Sequence, residues 1–106
     1  MDMRGSERQA TVRVERDLGA WMHRLGSYKV VLDGDEVAGI RNGASAEFAV
    51  AEGEHQLWIV GWGRSALSDA QSFPAMAGKT VVFGCRATPR TVFRRSIRPV
   101  SLERRA

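Results

Sequence analysis

The sequence predicts an all-β domain, an antiparallel β-sandwich of seven to eight short strands, and three observations carry that reading. Apolar and polar residues alternate with a period of two through most of the 106 residues. Turn-forming dipeptides recur about every 8–12 residues, the spacing of a sandwich or small barrel. The connections are too short for the helical crossovers that parallel strands usually need.

Each element follows in chain order. Residues 1–9 are polar and are expected to be disordered. Thr11-Val12-Arg13-Val14-Glu15-Arg16 alternates as a strand with one wet face. Leu18, Trp21, Met22 and Leu25 fall on one helical stripe, with Asp17 at the N-cap position and Gly26 past the end. A short helix over 18–25 is one reading of that stripe, and a hydrophobic connecting loop is the other. Tyr28-Lys29-Val30-Val31-Leu32 then stops at Asp33-Gly34, and Val37-Ala38-Gly39-Ile40-Arg41 stops at Asn42-Gly43. Ala46, Phe48 and Val50 share a face of the next strand. Glu52-Gly53-Glu54 turns the chain into His55-Gln56-Leu57-Trp58-Ile59-Val60-Gly61-Trp62.

A weaker strand over 69–73 is expected to stop at Pro74. Thr80-Val81-Val82-Phe83-Gly84-Cys85 is apolar almost throughout and should be central, and Thr91-Val92-Phe93 is a candidate last strand. The domain should span 10–97, with Val30, Leu32, Phe48, Val50, Leu57, Ile59, Val81 and Phe83 in its core. Residues 98–106 form a basic tail expected to be loosely held, because Arg98, Pro99, Glu103, Arg104 and Arg105 offer little to bury.

Composition narrows the class. An apolar fraction of 43% is too high for a disordered chain. The longest uncharged apolar stretch, residues 57–63, is far shorter than the ~20 residues a membrane helix needs. The net charge of +4 is unevenly spread: residues 28–85 carry an acidic excess, whereas residues 86–106 hold seven arginines against Glu103 alone. That asymmetry suggests an acidic partner, a nucleic acid or an anionic membrane surface, with Arg86, Arg90, Arg94, Arg95 and Arg98 as candidate anion-binding residues. Arginine outnumbers lysine fourteen to two, which a GC-rich genome would also produce. Cys85 is the single cysteine, so no internal disulfide forms, and the charged N-terminal segment lacks the apolar core of a secretion signal. A cytoplasmic protein is the expectation.

Chemistry-bearing constellations are sparse. His55 follows a glycine turn, where a histidine hydrogen-bonds neighbouring backbone and fixes a hairpin. His23, His55 and Cys85 lack the short spacing of zinc ligands, so no metal and no cofactor are expected. Asp33, Asp35 and Glu36 cluster at one turn without the pattern of a calcium loop. Ser65, Ser68 and Asp69 have no histidine in a recognised nucleophile arrangement, and Cys85 reads as a small buried thiol. No phosphate-cradling or dinucleotide loop is present.

The stretch 28–85 resembles a known family. Tyr28-Lys29-Val30-Val31-Leu32-Asp33-Gly34, then Val37-Ala38-Gly39-Ile40 and Asn42-Gly43, then Phe48-Ala49-Val50-Ala51-Glu52-Gly53-Glu54-His55-Gln56-Leu57 is similar to PEGA-like and related small bacterial β-sandwich domains, many of them actinobacterial and of unassigned function. Glu52-Gly53-Glu54 departs from the family's Pro-Gly turn, and the arginine-rich segment after Cys85 is an addition. The resemblance implies a non-enzymatic binding or scaffolding module and brings no catalytic residue with it.

One strand is apolar on both faces. Leu57 and Ile59 occupy one side, and Trp58, Val60 and Trp62 the other, with the two tryptophans about 13 Å apart. Something must cover the second side: Trp21 and Met22 of the same chain, the 92–93 segment, or another protein. Trp58, Val60 and Trp62 are therefore the candidate partner-binding residues of a protein-interaction or scaffolding module that self-associates or joins a larger assembly. Nucleic-acid or anionic-surface binding through the arginine-rich segment is the alternative, and a ligand pocket or enzyme site near His55 and Trp58 is the third reading.

Overall fold

A computed structural model of the chain describes residues 8–17, 27–61, 67–87 and 100–106. They form eight strands: β1 (Gln9–Arg16), β2 (Tyr28–Leu32), β3 (Asp35–Ile40), β4 (Ser45–Ala51), β5 (Gly53–Val60), β6 (Gln71–Ala75), β7 (Thr80–Ala87) and β8 (Val100–Arg104). Two four-stranded sheets, ordered β4-β1-β7-β8 and β3-β2-β5-β6, pack face to face as a β-sandwich. The stripe at 18–25, Trp62 and the candidate strand at 91–93 lie outside the described residues. Among the described residues no helix is long and apolar enough to cross a membrane.

Alternation explains the core directly. In β1 the residues Ala10, Val12, Val14 and Arg16 are buried in turn, while those between them point outward. Leu57 and Ile59 of β5 are fully buried, as are Val30 of β2 and Phe83 of β7. Phe73 of β6 meets Phe83 edge-on, with ring centroids 5.1 Å apart, joining the two sheets at the centre. Val50 and Val81 complete the buried set that the sequence predicts, whereas Leu32 and Phe48 are only partly buried against it. Leu32 ends its strand, and Phe48 lies on an edge strand, so each has solvent on one side.

The β2–β3 hairpin turns at Asp33 (φ 52°) and Gly34 (φ 92°). Two successive positive φ angles give the mirror-image turn that matches strand twist, and Asp tolerates the first of them while Gly takes the second freely.

Three expectations need correction. First, not every pairing is antiparallel: β1 runs parallel to β7, from Thr11 opposite Thr80 to Arg16 opposite Cys85. Such a pair needs a long connection, and strands β2 to β6, with β4 of the same sheet among them, supply it in place of a helix. Second, Pro74 does not stop its strand but sits inside β6 opposite Glu54. β6 is an edge strand, where the N–H that proline lacks would have faced away from the sheet. Third, the end of the chain is not a loose tail, because β8 pairs antiparallel with β7 and buries Val100 and Leu102. Val100 and Leu102 alternate with Ser101 and Glu103, and the flanking arginines hide this short apolar signal in the composition.

Leu102→Ala should therefore lower stability by about 2–5 kcal/mol, and Arg104→Ala should change it by less than about 0.5 kcal/mol. Urea unfolding of both variants is the measurement. Equal, small effects would place β8 outside the cooperative unit.

Candidate functional site

The two sheets present opposite kinds of outer surface. On the β4-β1-β7-β8 sheet, two of the outward residues of β1, Arg13 and Glu15, are charged and paired. Arg13 reaches Glu47 across to β4 at 3.1 Å and Glu15 along its own strand at 2.9 Å. Arg105, just beyond β8, reaches back over β7 to Glu15 at 3.2 Å and Asp17 at 2.8 Å. Arg13 holds the Glu15 carboxyl, and Arg105 the Asp17 carboxyl, below their ordinary titration range. Each exposed pair contributes little alone, yet together they tie the outer face across its strands.

Gly84 makes the Arg105 contact possible. A β-carbon on Gly84 would overlap the Arg105 guanidinium, so the bare backbone of β7 is the slot in which that side chain lies. Arg105 was not among the candidates from sequence, since nothing local distinguishes it from the neighbouring arginines. Of the candidate anion-binding residues, Arg86 lies on β7 with its Nε 3.9 Å from Asp17, and Arg90, Arg94, Arg95 and Arg98 fall outside the described residues.

The outer face of the β3-β2-β5-β6 sheet is different. Val31 is paired with Glu36 of β3 on one side and Trp58 of β5 on the other, so these three side chains form a row across the sheet. Val60 lies opposite Lys29 in the next row. A groove of about 380 Å³ opens here, lined by Val31, Gly34, Asp35, Glu36, Trp58 and Val60. Val31 and Val60 are buried as its floor, Trp58 is partly buried, and Asp35 and Glu36 are exposed at its rim. Lys29 pairs with Glu36 at 3.4 Å. Trp58 and Val60 thus meet in one site; Trp62 lies outside the described residues.

A latch fixes the turn that leads into this groove. His55 Nδ1 contacts Asp33 Oδ2 at 2.5 Å, and its Nε2 contacts the Ala51 carbonyl at 2.6 Å. Both partners are acceptors, so both ring nitrogens must carry hydrogens, and only the imidazolium satisfies the two together. Asp33 Oδ1 accepts the Gln56 N–H at 2.8 Å, while the Asp33 N–H donates to the Gln56 carbonyl at 2.9 Å. The Asp33 carboxylate raises the pKa of His55, and in return His55, with the Gln56 N–H, lowers that of Asp33. His55 thus fixes backbone, as its position after a glycine turn suggests. Its partner Asp33, which immediately precedes the groove residues 34–36, is the part that sequence spacing did not reveal.

Three further groups that carry chemistry are committed to structure. Ser68 is buried, its hydroxyl accepting the Ile59 N–H at 2.9 Å and donating to the Asp69 carbonyl at 3.1 Å. Burial pushes the Cys85 thiol up to about 11, which leaves it protonated and unreactive near neutral pH. Arg16, on the inward face of β1, donates to the Ile40 carbonyl at 2.9 Å and stacks 3.7 Å from the centroid of the Tyr28 ring. Among the described residues no three His, Cys, Asp or Glu side chains converge as metal ligands.

Two outcomes follow. The raised His55 pKa means that its stabilisation is fully present below the unfolded value, about 6.5, and is lost as pH rises through the folded value. The lowered Asp33 pKa means that its share is present above about 3.9 and is lost as pH falls through the folded value. The thermal advantage over His55→Gln should be largest at about pH 4.5–6.5 and shrink towards pH 9; parallel melting profiles would show an uncharged latch. Gly84→Ala and Arg105→Ala should each loosen β8, and the double variant should be no worse than either alone, as read by hydrogen exchange at residues 100–104. Additive losses would separate the two residues. Comparison with known proteins finds no family model that matches this chain and no match among curated proteins, so the geometry of its own residues carries the functional reading.

Proposed function

We propose that this chain is a non-enzymatic interaction module that works through the outer face of the β3-β2-β5-β6 sheet, by self-association or as a subunit of a larger assembly. The observation that supports this reading is the contrast between the outer faces. One is tied up by its own ion pairs, and the other carries Trp58 over an apolar floor in an open groove. Tryptophan in such a setting offers a large contact area with few rotamers to lose, which is why it anchors interfaces. The likeness of residues 28–85 to PEGA-like sandwich domains points the same way, and the cytoplasm is the compartment this reading assigns.

Trp58→Ala separates this role from a purely structural one. The variant should lose less than about 2 kcal/mol of stability, against the 3–5 kcal/mol typical of a buried tryptophan, while sedimentation velocity shows the complex or oligomer dissociating. A large loss of stability in a protein that is monomeric at every concentration would overturn the reading. Binding of DNA, RNA or anionic vesicles that falls steeply with salt, with Trp58→Ala unaffected, would instead favour the arginine-rich segment.

A further inference from the structure

We infer that the free edge of β4 is a dimer interface, where two copies of this chain pair antiparallel and join their sheets into one. It is a surface separate from the Trp58 face. The two sheets have four edges, β4 and β8 in one, β3 and β6 in the other. An open edge invites strand addition, and folded proteins blunt it with proline, a bulge, charge or cover. Three of these edges carry such a device. In β6, Pro74 removes an N–H that would face outward. In β3, Val37 is the extra residue of a bulge, between Glu36 opposite Val31 and Ala38 opposite Val30. The edge of β8 is covered: the Val100 N–H donates to the Leu67 carbonyl at 2.9 Å, and the Leu102 carbonyl accepts from Gln71 Nε2 at 3.1 Å.

Among the described residues β4 has no comparable device. It pairs with β1 in unbroken register from Ser45 to Ala51, without proline or bulge. Its inward residues Ala46, Phe48 and Val50 are apolar, and its single charge, Glu47, is engaged by Arg13. The Arg16 N–H donates to the Ala44 carbonyl, so the even-numbered residues of β4 bond to β1. The N–H and C=O groups of Ser45, Glu47, Ala49 and Ala51 therefore face the open side. One of them, the Ala51 carbonyl, accepts from His55 Nε2.

The pattern along this edge is self-complementary, which selects a second copy as the occupant. One antiparallel register pairs all seven residues of β4 with themselves, about a two-fold axis at Phe48. Glu47 then stands opposite Ala49 of the other copy, never opposite another Glu47, and those two pairs exchange four backbone hydrogen bonds. Phe48 meets Phe48 in the closely spaced, non-hydrogen-bonded position, where cross-strand aromatic pairs are favourable. Its half-buried ring would gain cover on the side now open to solvent. The same two-fold sets the Glu52–Glu54 turn of each copy beside the exposed Arg41 turn of the other, acid against base at both ends.

The test uses the full chain. Sedimentation velocity from micromolar to millimolar protein should show a monomer–dimer equilibrium. Dilution to the monomer should speed hydrogen exchange at the Glu47 and Ala49 amides by about tenfold or more, and Trp58→Ala should leave their protection in place. Ala49→Pro, which removes an outward N–H as Pro74 does in β6, should abolish the dimer while the monomer stays folded. Ala49 is exposed, so charged replacements are tolerated by the fold and report on the register. Ala49→Glu, which opposes two carboxylates twice over, should weaken the dimer by about fivefold, and Ala49→Lys, which faces Glu47, should hold or strengthen it. This charge pair decides the matter even if Ala49→Pro fails to fold. A monomer at every concentration, a dimer whose Glu47 and Ala49 amides exchange at the monomer rate, or equal effects of Ala49→Glu and Ala49→Lys would each overturn the inference. A dimer dissolved by Trp58→Ala and untouched by the Ala49 variants would do the same, and would leave the outer sheet face as the interface.

Discussion

Strand β1 is the constraint on which the sandwich depends. It is interior to its sheet, with β4 antiparallel on one side and β7 parallel on the other. Its inward residues Ala10, Val12 and Val14 are almost completely removed from water, each worth up to about 1–3 kcal/mol in transfer terms. A slip of one residue would turn that set outward and bring Arg13 and Glu15 into the core. The register of β1 therefore fixes which carboxylates reach the outer surface, and so where Arg13 and Arg105 can bind.

The second sheet is organised differently. Its hairpin geometry is set by side chains at the turns, with His55 bridging the Asp33 carboxylate and the Ala51 carbonyl. Among the described residues, the outward side chains of β2 and β5 form no ion-pair ladder of the kind found on the first sheet. Val31, Trp58 and Val60 share that exterior with one ion pair, Lys29–Glu36. One sheet thus spends its polar residues on internal cohesion, and the other presents a surface with both shape and charge.

Much of this was legible in the sequence because strand alternation and turn chemistry are local signals. Leu57, Ile59, Val30 and Phe83 could be assigned inward from period two alone, and Trp58 and Val60 outward by the same rule. What escaped depends on contacts between residues distant in the chain. The parallel partnership of β1 and β7, the pairing of His55 with Asp33, and the slot at Gly84 for Arg105 each join segments that carry no matching local pattern. β8 was missed for a different reason: two apolar residues among arginines weigh little in composition, yet they suffice once β7 offers a complete row of hydrogen-bonding groups. Arg16 shows the limit of alternation as a rule, since it occupies an inward position and remains there by giving its N–H groups to Ile40 and its flat face to Tyr28.

The parallel pairing also sets an order of events during synthesis. Thr11 is added to the chain well before its partner Thr80, and at about 5–20 residues per second that delay is roughly 3–14 s. Once β4 has been made, β1 can pair with it alone, so a hydrogen-bonding edge backed by Val12 and Val14 stays uncovered until β7 follows. The nascent chain passes through a stage at which its stickiest edge is open, and the arrival of β7 closes it. Synthesis of residues 80–87 therefore decides whether the first strand is sheltered or captured by another chain.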